Sequence, residues 1–238
     1  MQYWITPTRF NRFSKYALPA FSILCVISFF IGIYFALYAS PADYQQGEAV
    51  RIMYVHVPSA WLSMAIYISI SVSAASFLIW KNPLSGIFVR SLIPIGATFS
   101  LICLITGAIW ARPIWGVYWA WDARLTSMLI LFFIYIGLYI LYNAFEDEEK
   151  AARATSVLAL VGLVNLPVIR FSVKWWNTLH QPASVMRLDT PAIASSILTP
   201  LLLMFAFFIF LFLSLFITSA RTEILRRKNR RILLQANS

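Results

Sequence analysis

Long uncharged apolar stretches alternate along this chain with short polar segments that hold nearly all of its charge. Four runs, Ala17–Tyr38, Val57–Trp80, Ser91–Trp110 and Leu125–Phe145, each reach the roughly 20 residues that a helix needs to cross a hydrocarbon layer about 30 Å thick. A fifth run, Thr190–Ala220, holds a span near Ile197–Ser219. Ala154–Ile169 is shorter and stops at Arg170. It reaches spanning length if Arg170 snorkels to the boundary and the helix continues to Val173. Asn165 and Pro167 make it the least regular of the six. The first run follows Arg9, Arg12 and Lys15 as a signal peptide would. It is longer than the roughly 7–15 residues of a cleavable apolar core, and no small-residue cleavage site follows, so a retained span is expected. No internal repeat, low-complexity segment or linker divides the chain. The expectation is one all-α membrane domain over residues 1–238, with spans at 17–38, 57–80, 91–110, 125–145, 154–173 and 197–219.

An even number of spans puts both termini on one side. That side holds Arg9, Arg12, Lys15, Lys81, Arg90, Lys150, Arg153, Arg221, Arg226, Arg227, Lys228, Arg230 and Arg231, and the other holds Arg51, Arg112, Arg124, Arg170, Lys174 and Arg187. Thirteen against six predicts cytoplasmic termini. The external segments are then residues 39–56, 111–124 and 174–194.

Composition agrees with a membrane class. Hydrophobic residues make up 61% of the 238 and charged ones 12%, against about 45–50% and about 25% in soluble domains. A soluble enzyme, a disordered chain and a disulfide scaffold are thereby excluded. Cys25 and Cys103 both lie in apolar runs, with no C-x-x-C or C-x-x-C-H, so neither a thiol redox motif nor a covalent haem attachment is present. Of the net charge of +10, much sits in the segment from Arg221 to Arg231. A basic segment after an apolar span suits anionic lipid rather than nucleic acid. No G-x-x-x-x-G-K-[ST] occurs, so any ATP-driven step belongs to a partner.

The chain has two histidines, and both fall in external segments. His56-Val57-Pro58 and His180-Gln181-Pro182 each place a proline just behind the imidazole. Proline biases its predecessor to extended geometry and often opens a helix, so each ring is expected where chain meets membrane helix. A lone histidine there is ordinarily an interfacial polar residue. Two on one face, with none elsewhere, suggest a ligand pair. Zinc takes three or four protein ligands, whereas haem brings four nitrogens and leaves two axial positions.

The second external segment is Trp110-Ala-Arg-Pro-Ile-Trp115-Gly-Val-Tyr118-Trp119-Ala-Trp121-Asp122-Ala-Arg124, with four of the chain's nine tryptophans. An interfacial aromatic belt accounts for Trp61, Trp80 and fairly for Trp110, but not for so many rings together. If Ile114–Arg124 forms a helix, Trp115, Tyr118, Trp119 and Asp122 share one stripe. That stripe is either packing onto the bundle or a platform for a planar macrocycle, with Trp175 and Trp176 as an added wall. Haem propionates need cationic partners. Arg51, Arg112, Arg124 and Arg187 are available, each equally able to snorkel to lipid phosphate. Asp122 either pairs with Arg124 or caps the fourth span.

Trp115-Gly-Val-Tyr-Trp-Ala-Trp-Asp122, continued by Ala-Arg124-Leu-Thr-Ser127, resembles the tryptophan-rich segment of the WWD family of haem-handling membrane proteins. Asp43-Tyr-Gln-Gln-Gly47, Arg51-Ile-Met-Tyr-Val-His56-Val-Pro58 and Trp175-Trp-Asn-Thr-Leu-His180-Gln181 are similar to the haem-handling protein C branch of the system I cytochrome c maturation pathway. One departure is Tyr118, where the family pattern usually has tryptophan. The resemblance covers all three external segments and the six-span layout. It implies b-type haem held non-covalently on the outer face as transient cargo, with His56 and His180 as axial ligands and the aromatic segment as platform. It further implies an ABC-type ATPase subunit, a partner permease, a small single-span subunit, and a membrane-anchored haem chaperone that receives the cargo. A bacterial inner membrane, or a mitochondrial one, is the setting it implies.

Two other functions compete. A bis-histidine b-type cytochrome would keep its haem for electron transfer, but such subunits generally place their histidines within helices, and here both are expected at helix ends. A channel-forming permease is disfavoured by the near absence of ionisable residues in the spans. No bond chemistry by protein side chains is expected. Topology is directly testable. After removal of Cys25 and Cys103, single cysteines at Gln46, Val117 and Ser184 are expected to react with an impermeant thiol reagent from outside, and selective labelling from the cytoplasmic side would overturn the orientation.

Overall fold

Short polar residues and glycines set the helix boundaries. The computed structural model describes residues 6–176, 178–180, 185, 190 and 192–236. Thr6, followed by Pro7, caps α1 (Pro7–Tyr34), its hydroxyl accepting from the Arg9 N–H at 3.3 Å. The last turn of this helix widens into a π-helical turn, Phe35–Ala39. A 3₁₀ turn, Glu48–Ile52, leads into α2 (Met53–Trp80), and Lys81 in the left-handed conformation ends it. Asn82 caps α3 (Pro83–Trp115), and Gly116 at φ 78° ends it. Asp122 caps α4 (Ala123–Asn143) and Asp147 caps α5 (Glu148–Gly162). These are the places where a short acceptor side chain satisfies the free N–H groups of a first turn, or where a left-handed residue satisfies the last carbonyls.

The short apolar run Ala154–Ile169 lies across two helices. Leu163 and Val164 form a turn between α5 and α6 (Asn165–Trp175). Pro167 supplies no N–H in the first turn of α6, and the Asn165 side chain donates to the Ser127 carbonyl of α4 at 2.9 Å. The last helix, α7 (Ser195–Ala236), is 42 residues long and carries the basic segment as a continuous helix well past its apolar part. Among the described residues, six helical segments are long and apolar enough to cross a membrane, with α5 and α6 counting as one. The chain is an all-α integral membrane protein.

α2 occupies the centre, packed against α3, α5 and α7, while α1 lies outermost along α7. Ile66, Tyr67, Ile70 and Ala74 of α2 are fully buried. Two tyrosines tie the core together by donating to carbonyls of other helices. The Tyr67 hydroxyl reaches Ala159 at 3.0 Å and the Tyr135 hydroxyl reaches Ser63 at 2.6 Å, and their rings meet edge to face at 5.4 Å. Buried hydroxyls without water must find such acceptors. Gly96 and Gly162 leave room for these rings, since a Cβ at either would overlap Tyr135 or Tyr67.

Gly96→Ala is therefore expected to lower stability by roughly 1–3 kcal/mol, the usual cost of overpacking. Gly137→Ala, where an added Cβ meets nothing within 4 Å, serves as the control and should not destabilise. Thermal unfolding of the purified chain in detergent measures both, and equal midpoints for the two variants would contradict this packing.

Candidate functional site

Helix alternation brings the start of α2, the end of α3, the start of α4 and the segment after α6 to one end of the bundle. His56 lies there, but not in a loop. It sits inside the first turns of α2, Val57 is helical despite the following Pro58, and the expected extended geometry before that proline is absent. The preceding 3₁₀ turn feeds directly into α2, so Pro58 lies inside the helix and costs it the one bond its N–H would have made to the Tyr54 carbonyl. The imidazole faces α3. Its Nδ1 lies 3.0 Å from the Cys103 carbonyl oxygen and 3.2 Å from the Thr106 hydroxyl. A Cβ on Gly107 would stand 2.9 Å from the His56 Cε1, so the missing side chain makes the space for the ring. Trp110 packs edge-on against it at 5.5 Å and donates its own indole N–H to Gln46 at 2.9 Å.

Gln46 is held by a tight local turn. The Asp43 carboxylate accepts from the Gln45 and Gln46 N–H groups at 2.9 Å each, and Asp43 and Gly47 close an antiparallel bridge. Gly47 has φ 56°, a conformation other residues rarely adopt. The quoted Asp43–Gly47 motif thus positions a side chain on the tryptophan beside His56.

Asp122 organises the other histidine. Its Oδ1 accepts from the Arg124 N–H at 2.8 Å and the Leu125 N–H at 3.1 Å, which is the α4 cap, and also from His180 Nδ1 at 3.1 Å. Its Oδ2 accepts from the Thr178 hydroxyl and from the Leu179 N–H at 3.2 Å. The carboxylate is buried, and the N-terminal end of α4 favours its negative charge. Trp115 stands edge-on to the His180 ring at 4.9 Å.

Both imidazoles therefore have the same form. A carbonyl or carboxylate oxygen only accepts, so Nδ1 carries the proton in each and Nε2 keeps its lone pair. Burial pulls the His180 pKa below its ordinary value, with Asp122 acting in the opposite direction. Among the described residues no group of three or more His, Cys, Asp or Glu side chains converges. What the site offers a metal is two oriented neutral imidazoles.

The expected helix over Ile114–Arg124 does not form. α3 continues to Trp115, Gly116 stops it, and residues 116–122 are irregular up to the Asp122 cap. The left-handed Gly116 and the strong acceptor at Asp122 separate two helices where the spacing of aromatic residues suggested a third. Trp115, Tyr118, Trp119 and Asp122 accordingly do not share one stripe. Trp119 and Trp121 pair edge-to-face at 5.7 Å, and Trp121 is 80% exposed. The Trp119 indole N–H is buried with no acceptor among the described residues. Tyr118 is exposed beneath the Arg112 guanidinium, which also donates to the Gly116 carbonyl. Trp175 packs on Phe171 at 5.4 Å and on Trp176 at 5.8 Å, both tryptophans half-exposed at the end of α6. Arg51 is engaged by Glu48 and by the Ala36 carbonyl at 2.7 Å, at the π-helical turn. The Arg124 guanidinium is half-buried and makes no hydrogen bond among the described residues. Arg187, like Ser184, lies outside the described residues. Sequence reasoning missed Cys103, Thr106, Gly107 and Thr178. Only Gly107, a glycine one turn before the Trp110 cluster, gave a visible signal.

The structure thus combines six membrane-capable helices, among the described residues, with two oriented imidazoles and exposed tryptophans at one end of the bundle. Comparison with known proteins gives the particular family. The family model described as heme exporter protein C matches residues 1–235, and the chain belongs to that family. It is 49% identical over 232 residues to the heme exporter protein C of Bradyrhizobium diazoefficiens, covering 97% of this chain and 88% of that protein. It is 45% identical over 213 residues to its namesake in Haemophilus influenzae, with 90% and 87% covered. A putative cytochrome c biosynthesis mitochondrial protein of Marchantia polymorpha is 48% identical over 195 residues, 82% of either chain.

Asp122→Ala is expected to cost about 1 kcal/mol from the lost cap and to speed amide exchange at Leu179. Asp122→Asn keeps the cap through its remaining oxygen. Hydrogen exchange followed by mass spectrometry reads both, and unchanged protection at Leu179 in the alanine variant would remove Asp122 as the anchor of that segment.

Proposed function

We propose that this protein handles haem in cytochrome c maturation, holding it as transient cargo between His56 and His180 and passing it on. The observation that carries this reading is the matched hydrogen bonding of the two imidazoles, each with Nδ1–H fixed and Nε2 left to ligate. Metal-bound histidines ordinarily have this arrangement, with the far nitrogen oriented by a carbonyl or carboxylate. The iron supplies the two axial positions when haem is present. This chain's own residues orient the rings: Cys103, Thr106 and Gly107 for His56, and Asp122 for His180.

The aromatic residues have separable roles in this proposal. Trp110 and Trp115, each beside one imidazole, bound the macrocycle, and the buried unsatisfied N–H of Trp119 provides a donor for a polar edge. Tyr118, Trp121, Trp175 and Trp176 are exposed enough to meet a partner, for which a haem chaperone is the fitting class. Arg124, with a guanidinium that makes no hydrogen bond among the described residues, is the first choice for a propionate. Arg51, held by Glu48 and Ala36, is better suited to fixing the entry to α2. The thirteen-to-six basic count supports cytoplasmic termini and an external haem site. An ABC-type ATPase, a partner permease and a single-span subunit complete the proposed assembly, and no bond chemistry is assigned to this chain.

Wild-type protein purified with ferric haem is expected to show a six-coordinate, low-spin spectrum. His56→Ala and His180→Ala should each give a high-spin shift and weaker haem retention, and the double variant should retain little. Gly107→Ala, which crowds the His56 ring without removing it, should weaken low-spin character while the protein still inserts. A double histidine variant that kept low-spin haem would place the ligands elsewhere.

A further inference from the structure

The end of the bundle away from the histidines holds a cavity that the haem site does not use. Its base is a buried carboxylate. Glu223 of α7, 5% exposed, meets Arg90 of α3 at 3.0 Å, Arg226 at 2.7 Å and Arg227 at 2.8 Å. Glu148, at the start of α5, takes Arg226 and Arg227 at 3.2 Å each and Arg230 at 3.6 Å. Arg90 also stacks on the Tyr142 ring at 4.7 Å, and Arg227 donates to the Tyr142 hydroxyl at 2.7 Å. Four guanidinium groups face Glu223 and Glu148, and the Asp147 carboxylate adds a third negative charge near Arg230, so the network carries an excess of one positive charge. In a part-buried setting such an excess calls for an anion.

Two of these guanidinium groups border the same cavity. Arg90 uses Nε on Glu223 and reaches Asn143 with Nη2 at 3.5 Å, and Arg226 uses Nε and Nη2 on the two glutamates. A guanidinium has five N–H donors, so both keep donors beyond those these pairs use. Arg90 and Arg226 line a cavity of about 300 Å³ between α3, α4 and α7, together with Ile93, Pro94 and Tyr139. Pro94 and Tyr139 are exposed on the side of the helices, below the charged level. The cavity is thus cationic at its mouth and apolar where it opens sideways.

We infer that this cavity binds the headgroup phosphate of an anionic phospholipid, with an acyl chain leaving past Pro94 and Tyr139. The guanidinium fork matches phosphate oxygens, and basic pockets between membrane helices hold anionic headgroups in this way. The apolar side opening distinguishes a lipid from a free phosphate ion. Bound there, the phosphate joins α3 to α7 and balances the charge that Glu223 and Glu148 leave over.

The test uses the full chain purified in detergent, mixed with phosphatidylglycerol and phosphatidylcholine in equal amounts, with retained lipid counted by native mass spectrometry. Phosphatidylglycerol should be preferred, and Arg90→Gln should reduce that preference by roughly fivefold, the worth of one basic group at a membrane surface. Thr222→Trp, at an exposed position on the cavity rim, fills the space with every ion pair left intact and should abolish the preference. It decides the matter if Arg90→Gln does not fold. Equal retention of the two lipids by the wild type, or a preference that survives Thr222→Trp, would overturn the proposal. So would displacement of phosphatidylglycerol by millimolar inorganic phosphate, which would make this a soluble-anion site.

Discussion

The carboxylate of Asp122 joins two parts of the chain that share no other polar anchor of comparable extent. It closes the first turn of α4 with one oxygen and holds the segment after α6 with both, through Thr178, Leu179 and His180. A helix that enters a membrane must satisfy its leading N–H groups at the boundary, because lipid offers no alternative. Asp122 meets that requirement and, with the same charge, fixes the tautomer of a histidine 58 positions away. Capping and site geometry are therefore coupled, and the segment around His180 cannot be loosened from Asp122 without disturbing the start of α4.

His56 reaches an equivalent state by different means. Its ring is inside a membrane helix, so its acceptor is a backbone carbonyl of α3, a group made available by the packing of α2 against α3 rather than by a charged partner. Gly107 supplies the clearance and Trp110 the second wall. One imidazole is thus set by helix–helix packing and the other by a loop pinned to a helix start.

The two ends of the bundle solve opposite electrostatic problems. Near the histidines the polar groups are neutral rings, one capping carboxylate and the Arg124 guanidinium, with aromatic surface exposed around them. At the far end, buried Glu223 and part-buried Glu148 are met by Arg90 of α3 and by three arginines that the long α7 carries into place. Removing one partner of such a network leaves an uncompensated buried charge, which costs far more than the pair itself contributes. The network consequently fixes how α7 seats against α3 and α5.

Hydropathy alone determined that this is a six-span helical membrane protein, because crossing hydrocarbon demands long uncharged runs that no soluble fold tolerates. Local motifs also revealed the two histidines and the tryptophan-rich segment, since rare residue types clustered at span ends stand out against an apolar background. Spacing misled where two signals conflicted: the periodicity of Trp115, Tyr118 and Trp119 suggested a surface helix, and the stop at Gly116 with the cap at Asp122 prevented it. His56 read as a loop residue because Pro58 follows it, yet α2 already runs through both residues and Pro58 removes only one of its backbone bonds. Tertiary structure alone decided what each imidazole bonds to, that Thr178 and Cys103 belong to the site, and that Glu223 draws arginines from two helices into one cluster. Those contacts join residues 47 to 133 positions apart, and a sequence records the identity of such partners but not which of many equally plausible acceptors the packing brings within 3 Å.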